Sequence, residues 1–239
     1  MRRCLAGALG AVFLSWCAPP TAEAPIPAGT ELSYALDVSW EGASSLDGAW
    51  VFETDLGYRV GVRALYIGLG ALELVACPDE SLASVWAPAR ARADHAWDAD
   101  ASRLDVLGTE SLMAETSWAL GPAEASGTSY CELFWTVGTV ASAAADGFEL
   151  TRASAYLDAW VEPPGTGERI ELEHWLLVGE GVRVPLEGAW APGRVVRLTR
   201  HPARAFDGLV FESLSAAEVL FEVVQALGNG SRARFAAAP

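Results

Sequence analysis

Hydrophobic and polar residues alternate along much of the chain from residue 31 to residue 201. In ELSYALDVSWEG the apolar side chains occupy every second position, and the polar side chains of Ser33, Asp37 and Ser39 lie between them. An alternation of period two predicts a strand with one buried face. Similar segments separated by turn residues predict further strands at AWVFETD, SYCELFWTVGTV, ELTRASAYLDAWVEP, ERIELEHWLLVGE and GRVVRLTRH. The PPGTG turn predicts that ELTRASAYLDAWVEP and ERIELEHWLLVGE pair as a hairpin.

One predicted strand, YRVGVRALYIGLGALELVAC, is unusually long. Its alternation begins at Tyr58 and changes phase near Tyr66 and Ile67, just before Gly68 and Gly70. A phase change followed by glycines predicts a β-bulge or a bend at that point. The glycines do not predict a dinucleotide-binding loop, because no helix pattern with the required spacing follows them.

Residues 78–130 show the weakest pattern and are rich in Ala, Ser, Asp, Gly and Pro. We expect long loops here, with a short strand near SRLDVLG and a brief helix from Ser111 to Trp118. The pattern changes again in SLSAAEVLFEVVQALGNG, where Ser215 and Glu218 form a capping box and Gly228 is a candidate C-cap. An apolar stripe typical of a helix lies between them, formed by Val219, Leu220, Val223, Val224 and Leu227.

These patterns together predict an all-β fold, an antiparallel β-sandwich with long loops and one C-terminal α-helix. Short strands separated by turns favour this architecture over βαβ units. No internal repeat and no second linker is present after residue 30. Residues 31–239 are therefore expected to form a single domain, with residues 18–30 as a Pro/Ala-rich linker before it.

The first 17 residues are typical of a bacterial export signal. Two arginines precede a short apolar run that is too short to span a bilayer as a stable helix. LSWC resembles a lipobox, which predicts a lipidated Cys17 and a membrane anchor, although Trp16 stands where a small residue is usual. Cleavage after Ala24 is the alternative, with Pro25 as an unfavourable following residue. A buried N-terminal helix is a third interpretation, for which the segment lacks a cap and an amphipathic stripe.

Four cysteines are present. Cys4 leaves with the signal and Cys17 is consumed by lipidation, which leaves Cys77 and Cys131. An even number of cysteines in an oxidising compartment predicts a disulfide between these two residues, and two separate buried thiols are the alternative.

Composition narrows the range of partners. Half of the residues are apolar and one fifth are charged, so the chain can bury a core. The net charge is -15, and all 16 basic residues are arginines. A strongly acidic protein repels phosphate backbones, which excludes nucleic acid as the expected partner and is compatible with cations.

Three histidines are candidate metal ligands: His95, His174 and His201. No His-x-His or His-Glu-x-x-His spacing occurs, so no local motif demonstrates a metal site. His95 is the strongest candidate because RADHAWDAD surrounds it with three aspartates, and a solvated acidic loop is the alternative. A strand position for His174 and a loop position for His201 explain those two residues without a metal. Imidazole suits copper if the fold brings two of the rings together.

Three segments of the chain show a family resemblance: FETDLGYRVGVRALYIGLGALELVAC, SYC and FDGLVFESLS. They resemble segments of exported bacterial β-sandwich lipoproteins, a group similar to the periplasmic copper-binding proteins associated with methanobactin uptake. The resemblance covers residues 48–227, and its most specific points are Cys77, His95, Cys131 and the FDG segment. It implies copper binding in the loop of His95. Trp97 stands where such a loop often carries a second histidine, and is a candidate oxidised ligand.

The first functional hypothesis is an exported, lipid-anchored, periplasmic or surface protein that binds copper through His95 with help from His174 or His201. We expect no enzymatic activity, because the sequence shows no nucleophile elbow and no Ser/His/Asp set. The second hypothesis is a binding or structural module without a metal, which recognises an envelope protein or a glycan through loops 78–130. Trp86, Trp97 and Trp118 motivate it, because a tryptophan in a loop is costly unless it packs or binds.

Overall fold

The described part of the chain folds into a β-rich structure with one α-helix, which lies near the C-terminal end. A computed structural model describes residues 26–77, 101–115, 117–127 and 129–238. Within these ranges twelve strands form one mixed sheet, and the predicted all-β, sandwich-like fold class with a C-terminal helix is confirmed. The strands are β1 Glu31–Val38, β2 Ser44–Leu46, β3 Ala49–Glu53, β4 Arg59–Ala76, β5 Leu104–Ser111, β6 Trp118–Glu124, β7 Tyr130–Val137, β8 Ala155–Glu162, β9 Ile170–Leu176, β10 Glu180–Glu187, β11 Arg194–Arg200 and β12 Arg232–Ala237.

The sheet folds over on itself so that two groups of strands share one core. One group contains β2 to β5 and β7 to β9, and the other contains β1, β6, β11 and β12. Strand β10 joins them, because its first six residues pair with β7 and its last two pair with β12. Leu32 and Leu36 of β1 and Val60 and Val62 of β4 belong to the same buried cluster. This sandwich-like closure removes the apolar face of both groups from water.

Most strand pairs are antiparallel, as the hairpin pattern predicts, but two are not. Strand β1 runs parallel to β11, and β10 runs parallel to β12. Both pairs join strands that are distant in sequence, and β12 is separated from β10 by β11 and the helix. Local turn patterns cannot indicate such pairings, because a parallel pair needs a long crossover connection.

The core follows the period-two pattern of the sequence. Leu32, Tyr34, Leu36 and Val38 are buried along β1, and Trp40 continues the same face. The hairpin of β8 and β9 also forms as predicted, with Val161 opposite Ile170. Alternation therefore identified the buried faces of these strands correctly.

The long strand β4 pairs with four other strands, and its irregularities lie on both sides of the predicted bulge. Its register shifts against β8 between Val62 and Ala64, and against β5 between Leu69 and Ala71. The predicted position near Tyr66 and Ile67 is regular in both pairings. The predicted bulge is therefore misplaced, because the register shifts lie before and after it.

Gly68 and Gly70 are explained by close packing against the end of β7 and the residue that follows it. A Cβ atom at Gly68 would lie 2.1 Å from the carbonyl oxygen of Gly138, and one at Gly70 would lie 2.6 Å from Oγ1 of Thr136. The Gly68 amide donates to the carbonyl of Ser154, and the Gly138 amide donates to the carbonyl of Gly68. The glycines therefore permit backbone approach rather than a turn.

We expect the substitution Gly68→Ala to lower the free energy of unfolding by at least about 2 kcal/mol, because the new methyl group overlaps a backbone oxygen that cannot rotate away. Chemical denaturation followed by tryptophan fluorescence measures the change. Gly179→Ala is the control, since a Cβ atom at Gly179 meets nothing within 4 Å. Equal midpoints for the two variants would contradict the packing argument.

The predicted helix from Ser111 to Trp118 is wrong. Residues 112–115 and 117 have no regular structure, and β6 begins at Trp118. Tryptophan side chains take the carbonyls that a helix would use: Nε1 of Trp40 donates to the carbonyl of Leu112 at 2.7 Å. Nε1 of Trp50 donates to the carbonyl of Met113 at 2.8 Å. Tertiary hydrogen bonds thus override a weak local preference.

Four strands were not separately predicted, and each has a weak alternation. Strand β2 lies in SSLDG, where only a turn was expected, and the turn itself contains Asp47 and Gly48 with positive φ angles. Strands β6 and β10 contain Pro122 and Pro185, and β12 is short and rich in alanine. Because proline is rare in central strands, Pro185 makes β10 hard to recognise from the sequence.

The C-terminal helix, α1 Ala216–Gly230, begins where the sequence predicts. Oγ of Ser215 accepts from the Glu218 amide, and the Glu218 carboxylate accepts from the Ser215 amide, which completes the capping box. The predicted apolar stripe is buried. Gly228 is not the C-cap, because the helix continues to Gly230. A Cβ atom at Gly228 would lie 2.9 Å from Cγ2 of Val182, so the glycine lets α1 approach β10.

None of the helices in the described part of the chain is long and apolar enough to cross a membrane.

Candidate functional site

The two cysteines predicted to pair do form a disulfide. Cys77 follows β4 and Cys131 lies in β7; their Cα atoms are 4.9 Å apart, and the two residues are separated by 54 positions in sequence. The Cys77 amide also donates to the carbonyl of Ser129. The bond therefore joins two neighbouring strands at the end of the sheet.

Of the three predicted metal ligands, only His174 and His201 lie in the described part of the chain. His95 and the lipidation candidate Cys17 lie outside that part, as do Trp86 and Trp97. His174 lies in β9 opposite Leu157, on the same side of the strand as buried Leu172. No group of three or more His, Cys, Asp or Glu side chains with metal-binding geometry occurs within the described ranges.

His201 lies between β11 and a 3-10 helix, Pro202–Phe206, in surroundings that disfavour a cation. Its Nδ1 atom is buried and has no hydrogen-bond partner among the described residues. Burial lowers the pKa of His201, and the nearby guanidinium groups of Arg204 and Arg232 lower it further, against a smaller opposite effect of Glu41. The same two positive charges would repel a bound metal ion.

We expect the low pKa of His201 to make stability pH-dependent. The unfolded chain binds a proton near the ordinary value of 6.5, whereas the folded chain binds it only at lower pH. Neutral His201 therefore contributes its full share to the free energy of unfolding above about pH 6.5. This share is lost as the pH falls from 6.5 through the lower pKa of the folded state. Urea midpoints measured from about pH 8 to about pH 5 should decline, and the decline should be smaller for His201→Gln. An unchanged slope in the variant would contradict this assignment.

The FDG segment, Phe206 to Gly208, has a structural role. Phe206 is fully buried against Phe52, with ring centroids 5.5 Å apart. The Asp55 amide donates to Oδ1 of Asp207 at 3.1 Å, and the Gly208 amide donates to Oδ1 of Asp55 at 2.7 Å. This reciprocal pair fastens the turn between β3 and β4 to the segment before α1.

A different group of residues forms the most distinctive surface feature. Tyr66 of β4, Tyr156 of β8 and Trp175 of β9 are register neighbours across three adjacent strands. They lie on the outer face of the sheet, because Leu157 and Ala159 of β8 point into the core. Phe148, from the segment before β8, stacks on Tyr66 with 3.9 Å between centroids and 8° between planes. We call these four residues the aromatic patch.

The rings of the aromatic patch hold one another in place. Phe148 is also nearly parallel to Trp175, at 5.5 Å and 12°, and Tyr156 lies 4.3 Å from Trp175. A tight turn positions Phe148: the Ala144 amide donates to the Phe148 carbonyl, and Gly147 takes a positive φ angle. Tyr66 and Tyr156 are buried, whereas 44% of Trp175 is exposed. Trp175 is thus the accessible ring of a rigid stack.

Carboxylates border the aromatic patch. Tyr66 donates to Asp146 at 2.8 Å, and Tyr156 donates to Glu173 at 3.1 Å. Burial raises the pKa of both tyrosines to about 12, and the neighbouring carboxylates add to the shift. Both phenols are therefore neutral donors at physiological pH.

The border continues along β8 and β9. Asp158 lies directly opposite Glu173, a like-charge pair that by itself is destabilising. The guanidinium of Arg63 bridges Asp158 at 2.6 Å and Glu171 at 2.5 Å. We call Asp146, Asp158, Glu171 and Glu173 the carboxylate border. Only one arginine, Arg63, bonds to it within the described part of the chain, so the border is net negative.

Sequence reasoning did not identify the aromatic patch. The pattern does contain a clue, because Trp175 occupies the polar side of β9 in a line with Glu171 and Glu173. Tyr156 likewise alternates with the core residues of β8. What the sequence lacks is the register that aligns them and the turn that brings in Phe148. Trp118, on which the second functional hypothesis also depends, is 39% exposed at the start of β6, a strand that pairs with β1 and not with the strands of the patch.

No protein-family model, curated protein or solved structure matches this chain. The likeness to methanobactin-associated copper-binding proteins therefore stays a prediction from short segments.

Proposed function

We propose that this protein is an exported, lipid-anchored binding module that recognises a glycan at the aromatic patch. The observation that carries the proposal is Trp175: a large ring, 44% exposed, held parallel to Phe148 and bordered by carboxylates. This is the second of the two hypotheses from the sequence, with its binding surface moved from loops 78–130 to the outer face of β8 and β9. The Cys77–Cys131 disulfide supports export, because such bonds persist in oxidising compartments.

The chemistry of the patch suits a sugar ring. The C–H face of a pyranose packs on an aromatic plane, and its equatorial hydroxyls point outward to hydrogen-bond acceptors. Trp175 supplies the plane, and Glu173 and Asp146 supply oxygens that already accept from tyrosines but have further lone pairs. The stacked rings lose little conformational freedom on binding, so the surface is organised before the ligand arrives.

Charge narrows the class of glycan. The carboxylate border holds four acidic groups against Arg63, and the whole chain carries a net charge of -15. Like charges repel an anionic ligand, and opposite charges increase the rate and strength of association. We therefore propose a neutral or amino-sugar glycan rather than a polyuronate.

Copper binding through His95 is the alternative. Nothing about the described residues adds to the argument from RADHAWDAD, and the arginines beside His201 disfavour that residue as a partner ligand. Titration of tag-free protein with Cu(I) and Cu(II), compared with His95→Ala, separates the two functions. Copper affinity tighter than about 10 µM that is lost in His95→Ala, with no glycan binding, would favour the metal.

We expect Trp175→Ala to weaken glycan binding at least about 10-fold, since it removes the exposed stacking surface. The probes are cello-, xylo- and chito-oligosaccharides, glucosamine hexamer and oligogalacturonate, titrated calorimetrically into the full mature protein. Trp118→Ala is the matched control, because Trp118 is 39% exposed but lies in β6, which pairs with β1 and not with the strands of the patch. The proposal fails if none of the probes binds, or if binding depends on Trp118 and not on Trp175.

A further inference from the structure

A fully buried charged cluster lies between the two groups of strands. Arg200 of β11 is 0% exposed, and Glu110 of β5 is 2% exposed. Nε of Arg200 donates to both carboxylate oxygens of Glu110 at 2.9 Å, and Nη1 donates to Oγ of Ser231 at 3.3 Å. The guanidinium carbon lies 4.0 Å from the ring centroid of Trp135, which is also 0% exposed. Interior groups of this kind need all their hydrogen bonds satisfied.

Two donors of this cluster have no acceptor within the described ranges. They are Nη2 of Arg200 and Nε1 of Trp135. Both belong to groups whose centres are 4.0 Å apart, so the two nitrogens lie in the same small region of the core. Buried donors are nearly always paired, with protein atoms or with ordered water.

The Glu110 carboxylate beside these two donors has hydrogen-bond acceptor sites to spare. The Glu110 carboxylate has about four lone-pair sites, and only the Nε–H of Arg200 is seen to occupy them in the described part of the chain. A molecule that accepts from the two orphaned donors and donates to the carboxylate would satisfy all three groups. Water has this combination of two acceptor sites and two donor hydrogens.

We infer that Arg200, Glu110 and Trp135 form an internal site for an ordered water molecule. The ligand is neutral, because the charges of Arg200 and Glu110 already balance and an additional buried ion would be unpaired. Buried waters make about three hydrogen bonds each, which is the number available here. The site is independent of the aromatic patch, because it faces the core while the patch lies on the outer face of the sheet.

Nuclear Overhauser spectroscopy of the indole protons tests the inference in the full mature protein. The Nε1 proton of Trp135 should show a cross-peak to water with the sign of a long-lived complex. Trp40 is the matched control: it is also buried, but its Nε1 donates to the carbonyl of Leu112 at 2.7 Å and should show no such peak. The absence of a water cross-peak at Trp135, or an equal one at Trp40, would overturn the inference.

The resonance of Trp135 is assigned by its loss in Trp135→Phe, or by triple-resonance spectra if that variant does not fold. A crystal structure at high resolution gives a second readout. Solvent density within hydrogen-bond distance of Nη2 of Arg200 and Nε1 of Trp135 supports the site. Density that responds to replacing chloride with bromide would identify an anion and overturn the assignment to water.

Discussion

Replacing Glu110 with alanine should lower the free energy of unfolding by about 3–5 kcal/mol, because it leaves the charge of Arg200 buried without a partner. The two side chains are 2% and 0% exposed, so solvent cannot take over the role of the carboxylate. Ser231 and the ring of Trp135 contact the guanidinium but carry no negative charge. Urea or guanidinium denaturation, followed by fluorescence and circular dichroism, measures the change.

An exposed ion pair provides the matched control for Glu110→Ala. Glu41 lies 3.5 Å from Arg204, and both side chains are mostly exposed. Glu41→Ala should change stability by less than about 1 kcal/mol, since solvent screens such pairs. The double variant Glu110→Leu with Arg200→Met should recover much of the lost stability, because it removes both charges together. If Glu110→Ala is no more destabilising than Glu41→Ala, the pair is not buried in solution.

Removing the disulfide should have an effect of similar size. Cys77 and Cys131 are 54 positions apart, and in the chain-entropy model the closed loop stabilises the fold by about 4 kcal/mol. The loop includes residues 78–100, so the unfolded chain gains much freedom when the bond is absent. The double variant Cys77→Ser with Cys131→Ser should therefore show a strongly reduced denaturation midpoint.

Reductant supplies an internal control for this second result. Wild-type protein unfolded and refolded in reductant should match the double variant, and reductant should leave the variant unchanged. If the reduced wild-type protein and the double variant both have the denaturation midpoint of the oxidised wild-type protein, the disulfide adds little stability beyond the hydrogen bonds between β4 and β7. An intermediate value would instead indicate residual structure in the unfolded chain.

Neither change touches the aromatic patch directly. The disulfide joins the end of β4 to β7, whereas Tyr66 lies in the middle of β4, where that strand pairs with β8. Destabilised variants that remain folded should therefore keep the glycan affinity that we propose for the patch. Loss of binding in a folded disulfide variant would place the binding surface near residues 78–130 instead.

Several features of the fold were predictable because they are local. The alternation in β1, the hairpin of β8 and β9, and the capping box of Ser215 and Glu218 each depend on residues close together in sequence. The disulfide was predictable from the number of cysteines and the expected compartment. The wrong predictions came where distant groups compete for the backbone, as when Trp40 and Trp50 bind the carbonyls of residues 112 and 113.

The aromatic patch could not be predicted from local sequence, because its residues come from distant parts of the chain. Trp175 is visible in the sequence as an apolar residue on the polar side of β9, but its neighbours Tyr66 and Phe148 are remote along the chain. Their meeting requires the register of three strands and the turn at Gly147. The buried pair of Arg200 and Glu110 likewise joins two strands that alternation alone cannot place together.

The sequence by itself determined the strands that have a clear period-two alternation, such as β1, β8 and β9, and the start of α1 at its capping box. It also predicted the pairing of Cys77 with Cys131, since periodicity, capping and cysteine number can be read without the register of the sheet. Only the tertiary structure decided which strands are neighbours, which outward side chains form one surface, and which charged residues are buried. Those outcomes depend on the register and packing of residues far apart in sequence, where a shift of one position would turn every side chain of a strand to the opposite face.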